Sequence, residues 1–392
     1  MLWVDPQSTS VRRDGKIALL TKLAQLGRAT PQQHFELGNL QLAAADFVRA
    51  EQSFRVALAE WDDPAVWEAL ASALLELNRP AEAIAACDNI AETAGALLIR
   101  GRALNRLGRG EEARAALLRS LSDPDFDFFP ALDELLILLA KSTDGTALLD
   151  TINAQPSHRA ATALARAFKG IALERLGRHD EACAIMNLEA CIKRVAFVPP
   201  APFASIEAFN VALAEAVAAD PATVTVVLAD SEINLAPRGE GPAFAALYAF
   251  MRQEMVAYID DLEAYRMAEI LGPAPAKATF YTANTVLWGD GHNGQHIHNR
   301  GYISAVYHAV VPPEISDASD DRGMLTLGGC NDYAPGLKPS WGRRLIKPEA
   351  GVLTIFPSHI FHDVVPTGLT ARRISIVADL RPIWDQDSRL RR

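Results

Sequence analysis

The pattern of hydrophobic and polar positions changes near the middle of the chain. The first half is rich in alanine and leucine, and its apolar positions favour helices. From residue 279 onward, apolar residues occur in short β-branched or aromatic runs that are separated by glycine, proline, aspartate and asparagine. Such runs predict short strands. The sequence therefore predicts a helical part followed by a part that is built on a sheet.

Short turn sequences recur in the helical part. The stretches LNRPAEA, LGRGEEA and LGRHDEA each combine a helix end, a tight turn and the start of the next helix, and AADFVRAEQSF fits the same frame. The predicted turn positions are Ala45, Asn78, Gly108 and Gly177. The intervals between them are 33, 30 and 69 residues, and 69 is close to twice 34, so a degenerate copy around Gly145 is expected in the last interval. A period of about 34 residues predicts one pair of helices in each unit.

Small residues accompany these turns, because an alanine follows each of them after five residues: Ala50, Ala83, Ala113 and Ala182. Small side chains allow neighbouring helices to approach closely. Residues 30–192 resemble the tetratricopeptide repeat family, well at the turns and weakly between residues 120 and 165. The resemblance implies an α-solenoid whose concave surface binds a protein or peptide. The alternative is a solenoid that only caps or dimerises the second half.

The helical pattern is interrupted by VPPAPFAS, residues 198–205, because proline cannot continue a helix. We therefore predict a repeat domain over residues 1–197 and a second domain over residues 198–392. The second domain is expected to begin with a helix over residues 206–218, a short strand over 223–229 and a longer helix over 243–269. The later runs FYTANTVLW, YISAVYHAVV, GMLTLGG, GVLTIFPS and RRISIVADL predict a sandwich or a barrel. Helices that precede such strands suit a jelly roll, or double-stranded β-helix, with buttressing helices.

Histidines are concentrated in the predicted sheet, where six of the nine lie between residues 292 and 362. His296 and His298 share one face if they lie on a strand, where the rise per residue separates them by roughly 6–7 Å. Two imidazoles on one face can bind one metal ion. A third ligand is expected from GVLTIFPSHIFHDVVP, in which His362 follows the predicted end of a strand and His359 is its rival.

A cationic and a polar side chain follow on the next predicted strand. In RRISI, alternation places Arg373 and Ser375 on one face and Arg372 on the other. An arginine beside a serine can bind a carboxylate through charge-assisted hydrogen bonds. The strand therefore indicates a carboxylate site, with Arg372 as the alternative to Arg373.

These motifs occur in the order His-x-His, GVLTIFPS, a distal histidine and RISI, and over about residues 200–384 they resemble the 2-oxoglutarate/iron(II) oxygenase family. In that family one strand carries His-x-Asp or His-x-Glu, and a distal histidine completes the iron site. The resemblance implies that His296 and His362 bind iron and that Arg373 with Ser375 holds the distal carboxylate of 2-oxoglutarate. Tyr307 is assigned to the co-substrate site, with core packing as the alternative.

The chain departs from the family pattern at His298, which stands where a carboxylate is usual. In the preferred interpretation His298 is the third ligand of a three-histidine site. Alternatively, it lies outside a two-histidine site, as in the aspartyl/asparaginyl β-hydroxylases, or a carboxylate such as Asp332 or Asp363 completes the set. His292 and His308 are expected to have no catalytic role.

The resemblance implies a dioxygenase that uses iron(II), 2-oxoglutarate and O₂ to hydroxylate a C–H bond, in a protein or peptide recruited by the repeats. Two other classes compete with this hypothesis. A cupin-type metalloenzyme would use three histidines without 2-oxoglutarate and would not need Arg373. A catalytically inactive jelly roll with its repeats would act as an interaction scaffold.

Composition and charge indicate which classes of partner and which cellular compartment to expect. The net charge of −10 argues against a nucleic-acid partner, which requires a concentrated basic surface. The chain has no apolar run of about 18 residues, and its N-terminal stretch lacks the order of a signal peptide. Four scattered cysteines suit a reducing compartment. We therefore expect a cytoplasmic protein without a membrane or nucleic-acid partner.

Overall fold

A computed structural model describes residues 2–4, 10–123, 128–220, 224–228, 231–235, 237 and 239–383. Contacts within the chain define two compact units. The helical unit comprises Gln7–Leu138, and the sheet unit comprises Met1–Pro6 with Leu139–Arg392. The domain boundary that the sequence predicts between residues 197 and 198 lies inside the sheet unit, and it stays a prediction.

The helical unit consists of consecutive helices joined by short turns. Its helices are α1 (Ser10–Gln25), α2 (Pro31–Ala43), α3 (Phe47–Leu58), α4 (Pro64–Glu76), α5 (Pro80–Cys87), α6 (Ala94–Arg106), α7 (Gly110–Ser120) and α8 (Phe128–Lys141), which crosses the unit boundary. The helices pack in pairs, α2 with α3, α4 with α5 and α6 with α7. Side chains of Thr30, Asp46, Asp63 and Thr93 cap four of the helix starts by accepting backbone N–H groups. The predicted helix pairs are confirmed.

The predicted turn positions adopt the left-handed backbone conformation that ends a helix sharply. The φ angles are 58° at Ala45, 56° at Asn78, 74° at Gly108 and 72° at Gly177. Glycine and asparagine tolerate this conformation better than other residues. The four alanines that follow these turns are fully buried: Ala50, Ala83, Ala113 and Ala182. The turns therefore place small residues where two helices meet, as the repeat pattern predicts.

The sheet unit continues the helical pattern before its strands begin. Its helices are α9 (Gly145–Asn153), α10 (Ser157–Ala160), α11 (Ala163–Arg175), α12 (His179–Met186), α13 (Ile206–Ala219), α14 (Pro242–Asp260), α15 (Ala268–Leu271) and α16 (Pro313–Ser316). The predicted helix over 243–269 ends at Asp260, before Arg266, whose φ of 51° is incompatible with a continuous helix. Two predicted helices therefore form, the second one shorter than expected.

Gly145 has a different role from the expected turn residue. It is the first residue of α9, and the preceding Asp144 caps that helix by accepting the N–H of Ala147. A Cβ on Gly145 would lie 2.9 Å from Cβ of Arg175 and 3.0 Å from the carbonyl oxygen of Ala172. Glycine is therefore needed here because α9 packs tightly on α11, and not for a turn.

The strands form two sheets. They are β1 (Leu2–Val4), β2 (Lys193–Ala196), β3 (Val224–Leu228), β4 (Ser231–Leu235), β5 (Lys277–Gly289), β6 (Ile303–Val310), β7 (Leu325–Leu327), β8 (Arg344–Ile346), β9 (Val352–Pro357), β10 (His362–Val364) and β11 (Leu369–Pro382). The major sheet has the order β2-β9-β6-β11-β5-β4-β3 with β1 beside β5, and the minor sheet has the order β10-β7-β8. Apart from the β1–β5 pair the pairing is antiparallel, which confirms the double-stranded β-helix.

The long strands of the predicted sheet correspond to β5, β6, β9 and β11, and the strand predicted over 223–229 contains β3. Residues 223 and 229 themselves lie outside the described part of the chain. The short strands β2, β8 and β10 have only three or four residues, so alternation gives no signal for them. In the described ranges, no helix has the length and apolarity needed to cross a membrane.

Candidate metal centre

Three of the predicted ligands meet because two distant segments pair with each other. The N–H of His296 donates to the carbonyl oxygen of His362 at 2.9 Å, and the N–H of His362 donates back to His296 at 2.9 Å. The N–H of His298 donates to the carbonyl oxygen of Ser358 at 3.1 Å. The His-x-His segment therefore forms an isolated bridge beside β10 rather than the regular strand that the sequence predicts.

The three imidazoles converge. Ring centroids are 5.1 Å apart for His296 and His298, 4.1 Å for His296 and His362, and 4.8 Å for His298 and His362. The Nε2 atoms of His296 and His298 are 3.2 Å apart, and one ligand atom from each of the three residues lies within 4.8 Å of the others. The described carboxylates Asp332 and Asp363 do not belong to this group.

Each imidazole is oriented through its Nδ1 atom. Nδ1 of His296 lies 2.7 Å from the carbonyl oxygen of Gly294, and Nδ1 of His362 lies 2.9 Å from that of Ile360. Nδ1 of His298 contacts Oδ1 of Asp379. Carbonyl and carboxylate oxygens only accept hydrogen bonds, so each Nδ1 carries the proton and donates it. The three Nε2 lone pairs are then available to one metal ion, which is the donor set of a three-histidine site.

The environment keeps two of these ligands neutral. Desolvation, followed by the charge of neighbouring His298, lowers the pKa of His296 to about 4. Desolvation also holds the pKa of His362 well below its ordinary value, and the charges of the other two histidines add to this effect. Metals bind neutral imidazole, so neither His296 nor His362 has to lose a proton before it binds a metal at neutral pH.

These shifts predict that the metal-free protein loses stability as the pH falls from about 7.5 to about 5. The pKa of His296 is about 4 in the folded chain and has its ordinary value of 6.5 in the unfolded chain, so between these pH values the unfolded chain binds the proton and the folded chain does not. His296 alone then costs on the order of 2 kcal/mol at about pH 5. Urea unfolding at the two pH values measures this effect, and an unchanged free energy of unfolding would contradict it.

Arg373 lies fully buried on the same face of β11 as the histidine site. Its Nη1 atom is 3.5 Å from Oγ of Ser375, and its Nη2 atom is 3.4 Å from Nδ1 of His308, so both contacts are long. Its Nε atom has no hydrogen-bond partner, and no carboxylate among the described residues forms an ion pair with it. Burial lowers the pKa of Arg373 to about 10, which leaves it charged at neutral pH. A buried cation without a counter-charge indicates a site for an anion.

A cavity of ≈ 350 Å³ joins the two parts of the site. It lies between the two sheets, and Arg373, Ser375 and the three histidines all line it. Its apolar wall is formed by Ile233, Ala283, Val306, Leu325, Val364, Val377 and Ala378. The structure thus brings together five of the six side chains that the sequence assigns to the site.

Tyr307 is the sixth, and the structure does not bring it to this cavity. Its hydroxyl donates to Oδ1 of Asn210 at 2.7 Å, and its ring packs against Phe197 and Phe209 on the opposite face of β6. Tyr307 therefore packs in the core, which is the alternative that the sequence left open for it.

The rival residues lie elsewhere. His359 is completely buried, with Nε2 at 2.9 Å from the carbonyl oxygen of Ile185, and does not belong to the histidine group. The exposed Arg372 places its guanidinium 5.2 Å from the centre of the Trp288 ring. The alternation of β11 therefore separates Arg373 from Arg372 as the sequence predicts.

Sequence reasoning missed two polar residues of this face, Asp379 and His308. Asp379 has the same parity on β11 as Arg373 and Ser375, so alternation contains a signal for it. His308 lies directly opposite Ser375 on β6. The environment of His308 is desolvated and contains Arg373, and both factors hold its pKa well below the ordinary value. A neutral His308 accepts a hydrogen bond from Arg373 without neutralising its charge.

Comparisons with known proteins find solved structures and one family model that are similar to parts of the chain. The chain is similar to a prolyl-4-hydroxylase from Pseudomonas putida, with 20% identity and a TM-score of 0.34 over 51% of this chain and 98% of that chain. It is also similar to YrrB, described as a TPR protein with an unusual peptide-binding site, with 16% identity and a TM-score of 0.35 over 43% of this chain and 93% of that chain. No curated protein matches the chain. Within the C-terminal part of the chain, residues 284–379 match the family model described as "Putative 2OG-Fe(II) oxygenase".

Proposed function

We propose that the protein is an iron(II)- and 2-oxoglutarate-dependent dioxygenase that hydroxylates a C–H bond. The observation that supports this most directly is one cavity that holds three converging imidazoles and a buried arginine with which no carboxylate of the described residues pairs. The histidines fit iron(II), because each has its Nδ1 proton bonded and its Nε2 lone pair available. Arg373 fits a dicarboxylate, because it is fully buried and its Nε atom has no hydrogen-bond partner in the described part of the chain.

In this proposal His296, His298 and His362 hold the metal. Iron(II) with 2-oxoglutarate and O₂ supplies the oxidising power for C–H hydroxylation. Arg373 and the Ser375 hydroxyl bind the distal carboxylate of 2-oxoglutarate and thereby set the orientation of the co-substrate. Ile233, Val306 and Leu325 exclude water from the cavity and so strengthen the pairing between Arg373 and the carboxylate.

We also propose that the substrate is a protein or peptide. The helical unit supplies repeated helix pairs, and repeats of this kind form extended binding surfaces. A small-molecule substrate is the alternative. Succinate release in the presence of iron(II), 2-oxoglutarate and O₂ distinguishes them, because a substrate stimulates release above the rate without substrate. Stimulation by a peptide library supports the proposal, and stimulation by small metabolites alone opposes it.

Anaerobic titration tests the central proposal. We expect that iron(II) followed by 2-oxoglutarate produces the visible charge-transfer absorbance of a chelated complex, and that either addition alone does not. A cupin-type metalloenzyme is expected to bind the metal without this absorbance. An inactive scaffold is expected to bind neither. Absence of the absorbance at saturating iron(II) would overturn the proposed function.

A further inference from the structure

Asp379 is a buried carboxylate beside the histidine group, and its side chain is 4% exposed. Its Oδ1 atom contacts Nδ1 of His298, and its Oδ2 atom lies 3.5 Å from Nη2 of Arg381. The other two imidazoles of the group are oriented by backbone carbonyl oxygens. Among the three histidines, His298 thus stands apart as the one whose proton is held by a charged acceptor.

The contact belongs to a small network of hydroxyl groups. Oγ of Ser304 lies 2.9 Å from Oδ1 of Asp379, 3.0 Å from Nδ1 of His298 and 2.8 Å from Oγ of Ser358. A Cβ on Gly301 would lie 2.3 Å from that same Ser358 hydroxyl, so the close approach requires glycine. Buried polar groups with this many mutual contacts hold a single arrangement.

We infer that Asp379 is a positioning residue that fixes the Nδ1–H form of His298 and thereby makes its Nε2 atom the third metal ligand. The inference rests on the proposed function for the identity of the metal. In neutral imidazole the proton occupies one nitrogen, and a carboxylate on Nδ1 holds it there. The carboxylate also increases the basicity of the ligand.

Asp379 also supplies a negative charge near the site, although His298 stands at the position where a carboxylate ligand is usual. In a two-histidine-one-carboxylate site, the negative charge is a direct ligand of the iron. Here the ligand at that position is His298, and the negative charge lies one hydrogen bond farther away on Asp379. A carboxylate therefore remains beside the metal ligands, although it is not itself one of them.

The test is Asp379→Asn, which retains the size of the side chain. Arg381 donates toward the Oδ2 position, so the amide oxygen is expected there and the NH₂ group is expected to donate to Nδ1 of His298. The His298 proton then moves to Nε2, where it blocks the metal. We expect long-range ¹H–¹⁵N spectra of the metal-free protein, labelled at histidine, to show Nδ1–H for His298 in the native chain and Nε2–H in Asp379→Asn. Assignment comes from the resonance that disappears in His298→Gln. We further expect the Kd for cobalt(II), measured by calorimetry, to increase about 10- to 100-fold.

Asp363→Asn is the matched control. It removes the same charge next to His362, but it contacts none of the three imidazole nitrogens. It should leave the tautomer of His298 unchanged and weaken cobalt(II) binding less than Asp379→Asn does. If Asp363→Asn weakens binding equally, the effect is one of net charge and positioning is overturned.

The native spectrum keeps the inference falsifiable even if Asp379→Asn does not fold. Nε2–H on His298 in the native, metal-free chain overturns the inference by itself. Failure of the proposed function gives a different result, because the 2-oxoglutarate absorbance is then missing while His298 retains Nδ1–H.

Discussion

Replacing Arg373 by methionine is expected to abolish measurable binding of 2-oxoglutarate while iron(II) binding remains. Removing one partner of a buried ion pair costs about 3–5 kcal/mol, which corresponds to a loss of affinity between roughly 10²-fold and several thousand-fold. Methionine fills much of the same volume, so the cavity retains its wall. The measurement is the charge-transfer absorbance in anaerobic titrations, with calorimetry for the metal alone.

Arg372→Met is the matched control for this prediction. Arg372 is the next residue on β11, but it is exposed on the other face, above the Trp288 ring. The Arg372→Met variant should leave the affinity for 2-oxoglutarate unchanged.

The Arg373→Met variant should have a free energy of unfolding no lower than that of the native chain without ligand. The substitution removes a buried cation with which no carboxylate of the described residues pairs. Normal 2-oxoglutarate binding by Arg373→Met would exclude this arginine as the carboxylate anchor.

The second large effect is expected for His298→Ala, which should weaken iron(II) binding by more than about 100-fold, beyond the range for residues that only support a ligand. His296→Ala and His362→Ala should lose affinity to a similar extent, because the three Nε2 atoms form one donor set. Anaerobic calorimetry with iron(II) measures the three affinities under identical conditions.

His292→Ala provides the control for the histidine series. His292 lines the same cavity, but it lies outside the histidine group, and its Nδ1 atom is 3.1 Å from the carbonyl oxygen of Asp290. Its substitution should leave metal affinity unchanged. If His298→Ala binds iron(II) as tightly as His292→Ala does, the site has two histidine ligands and His298 only supports them.

Much of the fold was predictable because the determining signals are local. The turn residues Ala45, Asn78, Gly108 and Gly177 mark helix ends through their own backbone conformations. The long strands follow from β-branched and aromatic runs, and the alternation along β11 separates Arg373 from Arg372. The histidines and the arginine of the candidate site could also be recognised from short local motifs in the sequence.

Local patterns did not predict which side chains of β6 lie opposite those of β11. Between Ile374 and Ser375 the pairing of β11 with β6 shifts register, so Ile374 pairs with Val310 and Ser375 pairs with His308. Residues directly opposite each other in a sheet share a face, so the pairing with Ser375 sets His308 toward Arg373, and the pairing with Ile376 sets Tyr307 on the other face. The sequence alone does not give this register.

By itself, the sequence determined the repeat period, the strand-rich second half and the residue types able to bind a metal and a carboxylate, because each depends on neighbours within a few positions. Only the tertiary structure brings His296, His298 and His362 together at one cavity and places Asp379 beside His298. These contacts depend on pairing between segments about sixty to eighty residues apart, which no local pattern specifies.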